Sequence, residues 1–481
     1  MLTVEEIKQF IDEDTASIKK KLAREGDAYY NGEHDIKDYQ VYYINKDGKA
    51  VPDDTRSNIK IAHPFFTELV DQGTQYILSG DGYYIKSDIP ELQTELNAYF
   101  NENEDFTAEI SELLTGCQSK GFEYMYAYKN ENDRTAFLCA DSIGVVEVEA
   151  RFASDKQAHI LHWYVDRIDK EGKTVKKIQD WTSKEVFFYV QIGSGNIEVD
   201  GDEKTNPQPH TLYVREGSDK LYYKETNFIP FFRIDNNKKQ ISGLKPVKLI
   251  IDDYDLMNCG LSNNIQDGSE MYWVVKGFDG DDINELIENT KARKHVGIEA
   301  DGDIDIKTVD IPYQARQAKL QEDEKNIYKF GFGLNTAGLK DTAATTNIAI
   351  KAAYSLLDLR CSKLIIKLKQ FLRKLLKVVL TEINEVNGTS YQQKDVYFCF
   401  EPEIISNKTE NAQIKLTEAQ EQQTRITTLL NISTQLDNET LMQLICEQLD
   451  IDYEEIKDKL PAPEEAEENI TDTQKILEEK S

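Results

Sequence analysis

The chain has 481 residues and a formal charge of −30, from 57 Lys and Arg against 87 Asp and Glu, with a mean hydropathy of −0.58. At about 150 residues per domain it is long enough for roughly three. No apolar run reaches the ~18 residues of a membrane span, the six scattered Cys form no CxxC pair, and the acidic balance is the reverse of the basic footprint that wraps nucleic acid.

The opening MLTVEEIKQFIDEDT has neither the basic start nor the apolar centre of a signal peptide. With the Cys usage, it fits a reduced, cytoplasmic origin. Thr3 and Glu6 form a capping box, and Val4, Ile7, Phe10, Ile11, Ile18 and Leu22 keep a helical period. That predicts one helix ending near Gly26. A turn-rich stretch follows, with Asn31, Gly32, Asp47 and Gly48. Pro64 suits the first turn of a second helix that stops at Gly80. Asp88 and Pro90 open a third, to about Asn101, and Asp105 a fourth, with Gly121 just past its end.

From Phe122 the period becomes two. FEYMYAY, RTAFLCA, GVVEVEARF, AHILHWYVDRI, TVKKIQDW, EVFFYVQI, HTLYVRE and KLYYKE read as strands, to about Glu225. Residues 1–225 therefore predict an α+β body, helices first and then a mainly antiparallel sheet. A helix follows at 246–266. Next comes a small α/β insertion: MYWVVKGF as a strand, DDINELIENTKARK as a helix, and HVGIEA and IDIKTVDI as strands turned at Asp301-Gly302. A helix at 314–330 leads into GFGLNTAGLKDTAATT (331–346), which reads as an exposed mobile loop. A helix of about 40 residues from Asn347 spans roughly 60 Å, too long for the core of a compact domain. Its far half, KLIIKLKQFLRKLLKVVL, is basic and amphipathic. DVYFCFEP is a late strand, polar helices follow, and the acidic tail after Pro461 is expected to be disordered.

Sites of chemistry are sparse. There is no P-loop, GxGxxG, HExxH or GxSxG. His159 and His162 are three apart in a strand, so they point to opposite faces and cannot share a metal. His34 beside Asp35 reads as a surface loop pair rather than an acid/base pair. Three acidic clusters have the residue types of a two-metal nuclease: Asp252, Asp253 and Asp255; Asp279, Asp281 and Asp282; and Asp301, Asp303 and Asp305. Helix geometry spreads the first, a helix N-terminus explains the second, and a turn explains the third. No catalytic residue, metal or cofactor is assigned, and the chain is not read as an enzyme.

Three stretches carry a family resemblance: YYNGEHDI (29–36), NIKIAHPFFTELVDQGTQYILSG (58–80) and IPFFRIDNNKKQISGLKPVKLIIDDYDLMNCGLSNNIQD (229–267), continued by VVKGFDGDD. Together they resemble the SPP1-type portal family of tailed bacteriophages, from about Tyr29 to Val386. The opening of the long helix, TTNIAIKAAYSLLDL, departs from that family's small-residue motif.

The resemblance implies a portal fold of wing, stem, clip and crown. The wing would be 1–242, the stem helices 243–267 and 314–330, and the clip 268–313. The tunnel loop would be 331–346, the long wing helix and return strand 347–406, the crown 407–460, and the tail 461–481. It implies a homo-oligomeric ring, usually of twelve, at one capsid vertex of the virion, assembled in the host cytoplasm. Double-stranded DNA would pass through the channel in packaging and ejection, held weakly and without sequence specificity. The terminase large subunit, a head–tail connector, and the major capsid and scaffolding proteins would be partners, with no membrane.

DNA-facing residues would be Asn335, Thr336, Leu339, Lys340, Asp341 and Thr342. Clip docking and oligomerisation would fall to Tyr272, Trp273, Val274, Val275, His295, Ile298, Ile304 and Ile306. The alternatives are a metal-dependent nuclease using an acidic cluster, or another ring-forming virion connector.

Overall fold

The computed structural model describes residues 1–45, 47–53, 56–80, 82–130, 134–203, 205–214, 221–224, 228–268, 272–278, 298–307, 313–336, 347–400, 402, 408–433, 436 and 438–449. The chain forms two units. The first comprises residues 1–337 and 353–403, the second residues 338–352 and 404–481.

The first unit opens with α1 (Val4–Ala16) and α2 (Ile18–Tyr30). The capping box at Thr3 and Glu6 is present. The single helix that the periodicity predicts is broken at Ser17. Its backbone is extended, and its hydroxyl caps α2 by accepting from Lys20 N at 3.2 Å. Ile18 fits the apolar period but is 77 % exposed, because it starts a new helix instead of continuing the old face. Gly26 does not end a helix either. It lies inside α2, where a Cβ would stand 2.0 Å from the Ser119 carbonyl oxygen, so glycine lets α2 pack against α5 (Glu104–Lys120). Between α2 and α5 come α3 (Phe65–Ile77) and α4 (Pro90–Leu96), near the expected bounds. Gly121 ends α5 with φ +98°.

The strands are antiparallel throughout. β4 (Phe122–Lys129) is central in a three-stranded sheet, between β5 (Thr135–Ala140) and β14 (Phe231–Asp235). The larger sheet has the order β10-β9-β8-β7-β6, from Ile197–Val199, Glu185–Ile192, Thr174–Trp181, His159–Ile168 and Val145–Val148, with β11 (Gln208–Pro209) also on β9. β12 (Thr211–Val214) pairs with β13 (Leu221–Lys224). The short strands β1 (Tyr42–Ile44) and β2 (Ala50–Pro52), and β14 itself, lie where the sequence reads as turns or transition.

α1 lays Ile7 and Ile11 on Val146, Val148, Leu161, Ile178 and Tyr189 of the larger sheet. Lys20 pins α2 at the edge of this layer. It is fully buried, and its Nζ donates to the Ser142 carbonyl and to the Val145 carbonyl at 2.7 Å, and pairs with Asp14 at 3.0 Å. Burial lowers its pKa and Asp14 opposes that.

Helices α6 (Lys248–Gly268) and α7 (Tyr313–Gly331) pack on one another, with β15 (Tyr272–Phe278) and β16 (Ile298–Lys307) between them in sequence. The turn expected at Asp301-Gly302 is absent. Both residues lie within β16, where the register shifts: Lys276 faces Asp303, whereas Phe278 faces Ile298. The five-residue step between Ile298 and Asp303 therefore opposes a step of only two residues on β15, and the Asp-Gly pair falls in this irregularity. The expected helix at 281–294 lies outside the described residues.

The long helix α8 (Asn347–Asn387) matches its expected length and belongs to the first unit from residue 353 on. Leu357, Leu364, Leu368, Phe371, Leu375 and Leu376 are buried along it. The late strand is shorter than expected: β17 (Tyr397–Phe398) pairs with β3 (Ile85–Lys86) across more than 300 residues. In the second unit, α9 (Lys408–Asn431) and α10 (Asn438–Leu449) pack together, with Leu441 and Cys446 buried. The acidic tail lies outside the described residues. None of the described helices is long and apolar enough to cross a membrane.

Candidate functional site

The three motif stretches meet at one buried carboxylate, Asp255 of α6. Its Oδ2 lies 2.7 Å from His34 Nδ1, and its Oδ1 2.7 Å from His63 Nδ1. The same Oδ1 accepts from the His63 backbone N at 3.0 Å. The side chains of Asp255 and His34 are fully buried. Burial pushes the Asp255 pKa up, but the bonds from His34 and His63 outweigh it and hold the group below the usual carboxylate range. Tyr29 stacks on His34 with ring centres 4.4 Å apart, and Asn258 Nδ2 lies 2.6 Å from His63 Nε2. His34 is thus no surface loop residue. The surface reading fails because the partner lies 221 positions away, and neighbouring Asp35 turns outward to Lys248.

Residues 57–63 extend along α6 from this knot. The backbone N atoms of Ser57, Ile59, Ile61 and His63 donate to Asp267, Asn263, Cys259 and Asp255, at 3.1, 2.7, 3.2 and 3.0 Å. Alternate residues of an extended strand advance about 6.6 Å. Every fourth residue of a helix advances about 6.0 Å. The two repeats nearly match, so a strand without a sheet partner finds a ladder of acceptors on a helix face. None of the four acceptors was singled out as part of such a ladder by the sequence reading. The detectable signal is the spacing of four polar or thiol side chains at i, i+4, i+8 and i+12.

The other members of the first acidic cluster point elsewhere. Asp252 accepts from the Tyr29 hydroxyl and pairs with Lys248 at 2.9 Å, while Asp253 pairs with Lys319 of α7. The three carboxylates of this cluster do not converge, and no metal-holding group of three or more His, Cys, Asp or Glu occurs among the described residues. The cluster at Asp279, Asp281 and Asp282 lies outside them. The third, at Asp301, Asp303 and Asp305, lies along β16.

The start of the 331–346 loop is fixed rather than mobile. Gln72 of α3 pairs its side-chain amide with both backbone groups of Leu334, each at 2.9 Å, and Leu334 is buried. Gly333 donates to the Tyr328 carbonyl at 2.9 Å, and a Cβ there would stand 2.2 Å from Leu69 Cδ2. Arg360 of α8 joins three elements. Its Nη1 donates to the carbonyls of Leu69 and Gly331 at 2.9 and 3.3 Å, and its Nη2 to Gln118 Oε1 at 2.6 Å. Burial lowers the pKa of this guanidinium.

Asn335 Nδ2 donates to Glu324 Oε1 at 3.4 Å, and Thr336 is exposed. Leu339, Lys340, Asp341 and Thr342 lie outside the described residues. So does His295. Tyr272, Trp273, Val274 and Val275 lie on β15, and Ile298, Ile304 and Ile306 on β16. Trp273 faces Ile306 and Val275 faces Ile304 in the ladder.

His159 and His162 occupy different settings, as their odd offset requires. His162 Nδ1 lies 3.4 Å from Gln179. His159 is buried between Asp180, at 2.7 Å, and Asp155, at 3.0 Å. Burial lowers the His159 pKa, but the two aspartates outweigh it and the net shift is upward from 6.5. A raised folded-state pKa gives stability that is complete below the unfolded value and is lost as pH rises through the folded value. The melting midpoint is therefore expected to fall as pH rises above about 6.5, and more steeply in the native chain than in His159→Gln. Thermal melts of both proteins across that range check this; parallel curves refute it.

Compared with known proteins, the family described as "Phage portal protein, SPP1 Gp6-like" matches residues 7–468. The portal protein of Bacillus phage SPP1 is 25 % identical over 382 residues, covering 77 % of this chain and 73 % of its own length. The portal protein of Clostridium phage phiCD119 is 23 % identical over 436 residues, covering 86 % of this chain and 89 % of its own.

Proposed function

The chain belongs to the SPP1 Gp6-like family of phage portal proteins, and we propose on that premise that it forms a ring of twelve around double-stranded DNA at one capsid vertex of the virion. The genome passes through that ring in packaging and ejection, and the ring is a platform for the terminase large subunit and the head–tail connector. Residues 1–242 are the wing, with β17 as its return strand. α6 and α7 are the stem, β15 and β16 belong to the clip, α9 and α10 to the crown, and 331–346 is the tunnel loop facing DNA, with Lys340 its basic residue. The clip residues on β15 and β16 dock neighbouring copies and the connector.

One observation carries this reading. The three stretches that resemble the family converge at Asp255, where they tie the first stem helix to the wing body. A conduit works by geometry, so its side chains are spent on rigidity, and the acidic sum keeps the wall from gripping its cargo. The nuclease reading loses support where Asp252, Asp253 and Asp255 take separate partners. Negative-stain microscopy of the full chain tests the proposal. Axial views with a central hole are expected; monomers alone, with or without added capsid protein, overturn it.

A further inference from the structure

The charge on this chain is unevenly placed. Residues 87–119 hold eight Asp and Glu and no Lys or Arg. Residues 361–381 hold six Lys and Arg and no Asp or Glu. Within the second stretch, Lys363, Lys367, Lys374 and Lys377 follow helical spacing along one side of α8, with Gln370 between them. Lys363, Arg373, Lys374 and Lys377 are exposed, and Ile366 among them is 60 % exposed. Among the described residues none of the six cations forms an ion pair. Lys374 reaches the Arg233 carbonyl at 3.4 Å, and Arg373 lies over the Phe398 ring. In a chain with 30 excess carboxylates, a cationic stripe with no carboxylate of its own is the exception.

The acidic stretch also forms a helical surface. Glu104, Asp105 and Glu112 sit on α5 at i, i+1 and i+8, and Glu91 on α4; all four are exposed.

We propose that the basic stripe of α8 docks on the α4–α5 acidic surface of a second copy of this chain. The inference rests on the ring reading and names its contact surfaces. Charge complementarity admits a second copy or DNA, and the acidic balance of the chain and the exposed Ile366 favour the second copy. A stripe that held DNA would belong to a chain of net charge −30 and carry the exposed Ile366 between Lys363 and Lys367, whereas a neighbouring copy offers opposite charge on α4 and α5. Because the two surfaces differ, the contact is head-to-tail, and such contacts close into rings when the rotation per subunit allows it.

The test uses three full-length proteins in sedimentation velocity at about 0.15 M salt, where exposed charges act over roughly 8 Å. The native chain is expected to sediment as the ring. A stripe variant, Lys363→Glu with Lys374→Glu and Lys377→Glu, is expected to sediment as monomer. So is a surface variant, Glu91→Lys with Glu104→Lys and Glu112→Lys. An equimolar mixture of the two variants is expected to recover the ring, because each then meets a complementary neighbour on both sides. Melting midpoints within a few degrees of native exclude misfolding as the cause. Variants that still form native rings overturn the proposal and leave the portal reading standing. A mixture of folded variants that stays monomeric overturns it as well. So does a stripe variant that keeps its ring but loses binding to a short DNA duplex. A native chain that forms no ring removes both readings.

Discussion

Asp255→Ala is expected to lower the unfolding free energy by about 3–5 kcal/mol, the range for removing one partner from a buried charged network. One fully buried carboxylate accepts from His34 Nδ1, His63 Nδ1 and the His63 backbone. Alanine leaves all three donors without the fully buried carboxylate that accepts from them, and it cuts the last rung of the ladder on α6. Asp255→Asn keeps one carbonyl oxygen and turns the other position into a donor that faces a histidine nitrogen, so an intermediate loss is expected. The lowered pKa of Asp255 sets the sign with pH. Its contribution is present above the ordinary carboxylate pKa and is lost as pH falls through the lower folded-state value. Urea unfolding of both variants at neutral pH, and of the native chain into acid, checks this. A loss below about 1 kcal/mol for alanine, the size of one ordinary hydrogen bond, refutes it.

Arg360→Met is the second large effect, at about 2–3 kcal/mol, from buried acceptors left unsatisfied. Methionine keeps the length of the stem and removes the guanidinium. The carbonyls of Leu69 and Gly331 and the side chain of Gln118 then lose a shared donor. Gln72 still holds Leu334, so the base of the 331–346 loop is expected to loosen rather than detach. Hydrogen exchange reads this directly, as faster exchange at Gly333 and Leu334 with little change in the larger β-sheet. Unchanged exchange at those two amides refutes the anchoring role.

The difference between what was and was not legible in the sequence is a matter of range. The capping box at Thr3 and Glu6, the glycine that ends α5, the period-two strands and the full length of α8 are written in nearby residues, and they stand where expected. The break at Ser17 was missed because its hydroxyl competes with a continuous apolar period. β14 and the two-residue β3 were missed because a strand of two to five residues holds too few positions for a period, whereas its partner β17 lies within the expected late strand. The knot was illegible for a stronger reason. His34 and Asp255 each look ordinary alone, and only the fold supplies the contact across 221 residues. The motif stretches did mark the right places, but not the chemistry that joins them. Nothing in the sequence sets Arg360 apart from the exposed Lys363 that follows it, and only the fold turns its side chain inward to carbonyls.

The ladder on α6 has a mechanical consequence. Two lattices of slightly different pitch are in register there, and the mismatch of about 0.6 Å per rung accumulates to nearly 2 Å over the three intervals between four rungs. Such a fit limits its own length, much as a vernier agrees with its scale over only a few divisions. It is also selective about displacement. Sliding the segment by a fraction of a rung breaks all four bonds together, and the next match lies a full helical step of about 6 Å away. Under axial load α6 is therefore held in discrete positions against residues 57–63 and does not creep between them.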